Sequence, residues 1–106
     1  MIFVDASIKD KTYISIKNNE EEIVIAINKK LTHIEAEYLA VLLAYILFGY
    51  KTILSDNEFV VKHINNEYKT KKEIFNRIKE CIKTNVMWIE REKNKADKVL
   101  RRCKDV

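Results

Sequence analysis

Residues 51–65 read KTILSDNEFVVKHIN, an apolar run that ends in an acid before an amphipathic run begins. Thr52, Ile53 and Leu54 have the β-branched, apolar character of a short buried strand. The pattern of 57–64 is helical, so the chain crosses from strand to helix at Ser55–Asp56. A carboxylate where a strand leaves the core has two readings. Asp is a good helix N-cap, and it is also a ligand for a hard cation. Which one applies depends on what the rest of the chain brings to the same edge.

Outward from this stretch the elements follow in order. MIFVDAS (1–7) reads as a strand, and KTYISIKN (11–18) and EEIVIAIN (21–28) as two more, joined by short turns into an antiparallel meander. LTHIEAEYLAVLLAYILFGY (31–50) opens with Thr32 and carries Glu35 three residues on, the spacing of a capping box. Its apolar positions 36, 39, 40, 43, 46, 47 and 50 keep a helical period, and Gly49 stands near a natural stop. After the stretch at 51–65, TKKEIFNRIKECIKT (70–84) predicts a helix with Ile74, Phe75, Ile78, Cys81 and Ile82 on one side. NVMWIERE (85–92) predicts a fifth strand and NKADKVLRRC (94–103) a closing helix. The order is βββαβααβα, an α/β fold with a five-stranded mixed sheet and helices on both faces.

The 106 residues suit one domain, 1–106, with a single core. Hydrophobic content of 47% beside 34% charge is that of a globular chain. Cys81 and Cys103 stand singly, without CxxC spacing, as expected of reduced thiols in a cytoplasmic protein. The N-terminus lacks the basic region and apolar length of a signal peptide. The most apolar segment, 38–50, is shorter than the roughly 20 residues of a membrane span, so a buried helix is expected. Its largely apolar circumference also admits a homodimer. Charge is uneven: residues 1–50 hold five Lys against seven acids, whereas 51–106 hold fifteen Lys and Arg against nine. A basic second half suits a polyanion, and equally a solvated helical surface.

Topology gathers the acids. In a meander the third strand runs parallel to the first, so a right-handed crossover can lay the fourth beside the first in the same direction. Asp5 and Asp56 then close neighbouring strands roughly 4.8 Å apart, and parity puts Phe3 with Asp5 and Leu54 with Asp56 on one face. Glu37, in the second turn of the first helix, overhangs them, and Asp97 opens the last helix. Carboxylates so crowded need a compensating charge. Mg²⁺ takes such oxygen ligands, and two ions about 3.5–4 Å apart serve phosphodiester hydrolysis. Each acid has a plainer reading: Asp5 as a strand end, Asp56 as a cap, Asp97 as the partner of an Asn94 cap. Glu35 is explained by Thr32, whereas Glu37 has no local partner.

Four motifs, FVDAS (3–7), AEYLAVLLAYIL (36–47), ILSDNEFVVKHI (53–64) and REKNKAD (91–97), together resemble, in order, those of the ribonuclease H family, especially its type 1 and plant-like members. The resemblance spans nearly the whole chain. It implies cleavage of the RNA strand of RNA/DNA hybrids with two Mg²⁺ or Mn²⁺ ions, leaving 5′-phosphate and 3′-hydroxyl ends. It also implies Asp5, Glu37, Asp56 and Asp97 as catalytic, metal-binding carboxylates. Nucleic-acid contacts are expected from Ser7, Thr32, His33, Asn57, Lys62, Asn94 and Lys95. The chain departs from the family in four places. The glycine-rich loop between the first two strands is missing, no histidine precedes the last acid, the spacing of Asn94 to Asp97 is one residue shorter than the plant-like pattern, and a tryptophan-bearing basic protrusion is absent, with Lys69, Lys71 and Lys72 in the corresponding region. These departures leave two alternatives, a poorly active or inactive binding module on the same fold and a nuclease directed at DNA or junctions. His63 reads as a C-terminal helix residue with no special function, and Trp88 as a core or interface aromatic.

Overall fold

The computed structural model describes residues 1–103. Strands β1 (Ile2–Ile8), β2 (Thr12–Lys17) and β3 (Glu22–Ile27) form the antiparallel meander. Helix α1 (His33–Phe48) carries the chain to β4 (Ile53–Ser55), which pairs with β1 in parallel. Helices α2 (Glu58–Ile64) and α3 (Glu73–Cys81) follow, then β5 (Val86–Trp88), a 3₁₀ turn (Arg91–Lys93) and α4 (Lys95–Arg102). The sheet order is β3-β2-β1-β4-β5, the mixed sheet expected from the sequence.

The period-2 pattern divides the sheet between two layers. Ile2, Val4, Ala6, Ile14 and Ile16 join Ala36, Ala40, Val41 and Ala44 of α1 in the main core. Small residues at these α1 positions let the helix lie close to the sheet. The opposite face receives α4: Ser15, directly across from Asp5 in the β1–β2 register, donates from Oγ to the Ala96 carbonyl at 2.7 Å. The Thr32–Glu35 capping box opens α1, and Gly49, at φ +69°, closes it with its N–H bonded to the Tyr45 carbonyl. That left-handed φ suits glycine.

The structure refines three sequence expectations. His63 lies in the last turn of α2, as expected, but is buried, 1% exposed. Its Nδ1 accepts from the Tyr38 hydroxyl at 2.6 Å, and its Nε2 donates to Asn76 Oδ1 at 2.9 Å. Asn76 Nδ2 in turn donates to the Thr70 carbonyl, which makes Asn76 Oδ1 the acceptor and His63 Nε2 the donor. Trp88 is half exposed rather than in the core, because β5 is a three-residue edge strand. On α3 only Phe75 and Ile78, with Ile82 just past its end, turn inward, while Ile74 and Cys81 are exposed, because this peripheral helix packs mainly on α1.

No helix of the described residues is long and apolar enough to cross a membrane.

Candidate metal centre

The β1–β4 register sets the site. Phe3 lies opposite Leu54 and Val4 opposite Ser55, so the next residues along the two strands are Asp5 and Asp56. Past Ser55 the chain turns: Ser55 Oγ accepts from the Asn57 N–H at 3.1 Å, and Asn57 Oδ1 accepts from the Val60 N–H at 3.0 Å. Asn57 is therefore the N-cap of α2, and the Asp56 carboxylate is left free for another role. Asn94 holds it, donating from Nδ2 to Asp56 Oδ2 and to the Val4 carbonyl, both at 2.9 Å.

Glu37 enters from the first turns of α1. Glu35 is occupied by the cap, since the Thr32 N–H donates to its Oε1 at 2.9 Å. Glu37 is fully buried, and among the described residues neither of its oxygens has a hydrogen-bond partner. The nearest basic group is the half-exposed His33, with Nε2 3.5 Å from Oε1. One carboxylate oxygen from each of Asp5, Glu37 and Asp56 lies within 4.8 Å of the other two. Burial, then the neighbouring Asp56, push the Asp5 carboxyl up to about 7. Burial, then Asp5 and Asp56, push Glu37 up to about 9. Such a cluster exists either partly protonated or with a cation. Three hard oxygens and an orphaned buried carboxylate fit a divalent ion of the Mg²⁺ type.

Asp97 stands apart from this trio. It is buried beside Asp5, close enough to contribute to the upward shift of that carboxyl. It does not complete a capping pair; Asn94 caps α4 by accepting from the Ala96 N–H at 3.0 Å. Each oxygen of Asp97 instead faces a guanidinium, Arg101 Nε at 3.0 Å from Oδ2 and Arg91 Nε at 3.9 Å from Oδ1.

A cavity of about 400 Å³ opens over Asp5 and Asp97, lined also by Ser7, Lys9, His33, Arg91 and Arg101 among others. Ser7 and His33 thus stand where contact with a bound chain was expected. Thr32 and Asn57 are engaged as helix caps. Lys62 pairs with Glu58 at 2.7 Å and lines a separate hollow with Met87 and Trp88. Asn94 corrects the expectation of a nucleic-acid contact: it is 0% exposed, and its amide is consumed in holding Asp56, Val4 and the start of α4. Lys95 is exposed, with Nζ 5.6 Å from the centre of the Phe3 ring. Arg91 was not singled out by sequence, although the i,i+4 spacing of Asp97 and Arg101 was a readable sign of the second guanidinium.

No protein-family model and no relative among curated proteins matches the sequence. Solved structures do match. Ribonuclease H1 from the halophilic archaeon Halobacterium salinarum NRC-1 superposes with a TM-score of 0.68 at 17% identity, covering 93% of this chain and 91% of that one. LC11-RNase H1, isolated from compost by a metagenomic approach, gives a TM-score of 0.69 at 25% identity, covering 92% and 89%. A second structure of LC11-RNase H1, in complex with an RNA/DNA hybrid, gives 0.64 at 21% identity, covering 93% and 97%. The chain has the ribonuclease H fold, and these likenesses over nearly its whole length support a ribonuclease H family relationship.

Proposed function

We propose that this chain, built on the ribonuclease H fold, is a metal-dependent endonuclease that hydrolyses the RNA strand of RNA/DNA hybrids. The observation that carries the reading is the buried Glu37 carboxylate, without a hydrogen bond on either oxygen among the described residues and with Asp5 and Asp56 within 4.8 Å. Its desolvation is costly unless a proton or cation compensates. The hybrid is suggested by the complex of LC11-RNase H1.

Two divalent ions, Mg²⁺ or Mn²⁺, would supply Lewis acidity at the attacking and leaving oxygens of a phosphodiester. Asp5, Glu37 and Asp56 would hold one; Asp5 and Asp97 the other. Asn94 fixes the Asp56 carboxylate through Nδ2, so this ligand is oriented before anything binds. Lys9, Arg91 and Arg101 on the cavity wall draw a polyanionic backbone to the acids. Ser7 and His33, on the same wall, would contact the strand and its 2′-hydroxyls.

A labelled RNA/DNA hybrid incubated with Mg²⁺ or Mn²⁺ tests the proposal. Cleavage is expected with either metal and is lost in EDTA and in Asp56→Asn. Undiminished cleavage by that variant would remove Asp56 from the site. A second reading, a binding module without activity, is favoured by the engagement of Asp97 with Arg91 and Arg101. Hybrid binding without cleavage in either metal would select it.

A further inference from the structure

The four acids at this edge differ in what already compensates them. Among the described residues Glu37 has no hydrogen-bond partner on either oxygen, and its nearest basic group is the imidazole of His33 at 3.5 Å. Asp97 has a cation on both: Arg101 Nε at 3.0 Å on Oδ2 and Arg91 Nε at 3.9 Å on Oδ1. Its side chain is only 10% exposed, so little solvent screens the pairs from that side. The arginines are tethered quite differently. Their side chains are 63% and 72% exposed, and neither makes another salt bridge or side-chain hydrogen bond among the described residues. An ion approaching Asp97 therefore meets two positive charges, one of them close against Oδ2. An ion approaching Asp5, Glu37 and Asp56 meets three carboxylates without a guanidinium partner.

Arg101 is the stronger of the two arginines. It sits one turn beyond Asp97 on α4, where i,i+4 geometry brings the side chains together without backbone strain. We propose that Arg101 is a built-in cation that keeps Asp97 out of the metal centre in the substrate-free protein. The resting chain then takes one divalent ion, at Asp5, Glu37 and Asp56. The second position, which needs Asp97, stays weak until the guanidinium leaves. Arg101 is thus a positioning residue that sets the order of metal loading. The inference rests on the metal-dependent reading above.

Mn²⁺ titration of the full chain without nucleic acid tests it, with bound ions counted by electron paramagnetic resonance. Wild type is expected to take one ion tightly and a second about tenfold or more weakly. Arg101→Gln should strengthen the second site about tenfold and leave the first unchanged. Arg101→Lys, which keeps the charge, should retain most of the weakness. Asp97→Asn should lose the second ion and keep the first. Arg101 is exposed, so thermal melts of its two variants are expected to stay close to wild type. Two wild-type ions of equal affinity, or a second site indifferent to Arg101→Gln, would overturn the inference and leave the metal site standing. A second ion that survives Asp97→Asn would overturn it as well. Absence of any bound Mn²⁺ in wild type would overturn both readings together.

Discussion

Asn94 Nδ2 donates to Asp56 Oδ2 at 2.9 Å across 38 residues of chain. The same amide also bonds the Val4 carbonyl and caps α4 through Ala96. One buried side chain therefore ties β1, the end of β4 and α4 together at the acids. Asn94→Ala would leave the Val4 carbonyl and Ala96 N–H without these partners and open a small void. The expected cost is about 3 kcal/mol, read by urea denaturation. A fall of about tenfold in divalent affinity should accompany it. Unchanged metal binding in a folded variant would show that Asp56 does not need this support.

Metal-free stability should fall as pH rises. Asp5 and Glu37 titrate at about 7 and about 9 in the folded protein, against ordinary values of 3.8 and 4.5. Between those limits the folded state holds protons that the unfolded chain has released, so the slope of stability with pH is negative. Full stability is present near pH 4 and is lost through pH 7 to 9. Thermal melts from pH 5 to 9 check this, and Mg²⁺ should restore stability most at the alkaline end. Glu37→Gln should flatten the profile and raise the melting temperature at pH 9 by about 5 °C or more.

Glu35 and Glu37 are two residues apart on α1 and have opposite requirements. Glu35→Gln keeps an acceptor for the Thr32 N–H, so it should change stability by less than about 0.5 kcal/mol and leave hybrid cleavage intact. Glu37→Gln should abolish cleavage while folding normally. Parallel cleavage and melting assays separate the two; equal loss of activity would contradict the assignment.

The hydroxyl of Tyr38 is the only donor to His63 Nδ1 among the described residues. Tyr38→Phe keeps the ring stacked on Phe75 at 4.2 Å between centroids but leaves a buried nitrogen without a partner. The expected loss is about 1–3 kcal/mol, measured by denaturant unfolding. A neutral result would mean that water reaches the imidazole.

The fold was legible because its signals are local or periodic. Alternation in 12–17 and 22–27, the Thr32–Glu35 pair and the single glycine at 49 each act within a few residues, and the crossover rule converts them into a sheet. Parity then sufficed to place Asp5 beside Asp56. Asn94 was misread because its partners are 90 and 38 residues away, and nothing in REKNKAD distinguishes a buried amide from a surface one. The burial of His63 was missed for a similar reason. It follows from α2 lying against α1 and α3, which its own sequence window does not contain. For Trp88 the sequence left core and interface both open, and the choice turned on strand length: β5 ends at Trp88, which leaves the ring half exposed.

The capping box that opens α1 has a meaning beyond helix stability. By fixing Thr32 as the cap, it fixes the rotational phase of everything after it, and Glu37 is five residues downstream. Each residue inserted between cap and carboxylate would turn Glu37 by about 100° around the helix axis, away from Asp5 and Asp56. The hairpin turns at 9–11 and 18–21 carry no such phase and connect strands already held by their register. Length variation is therefore tolerable in the loops where this chain is short, whereas between Thr32 and Glu37 the count of residues is itself part of the active geometry.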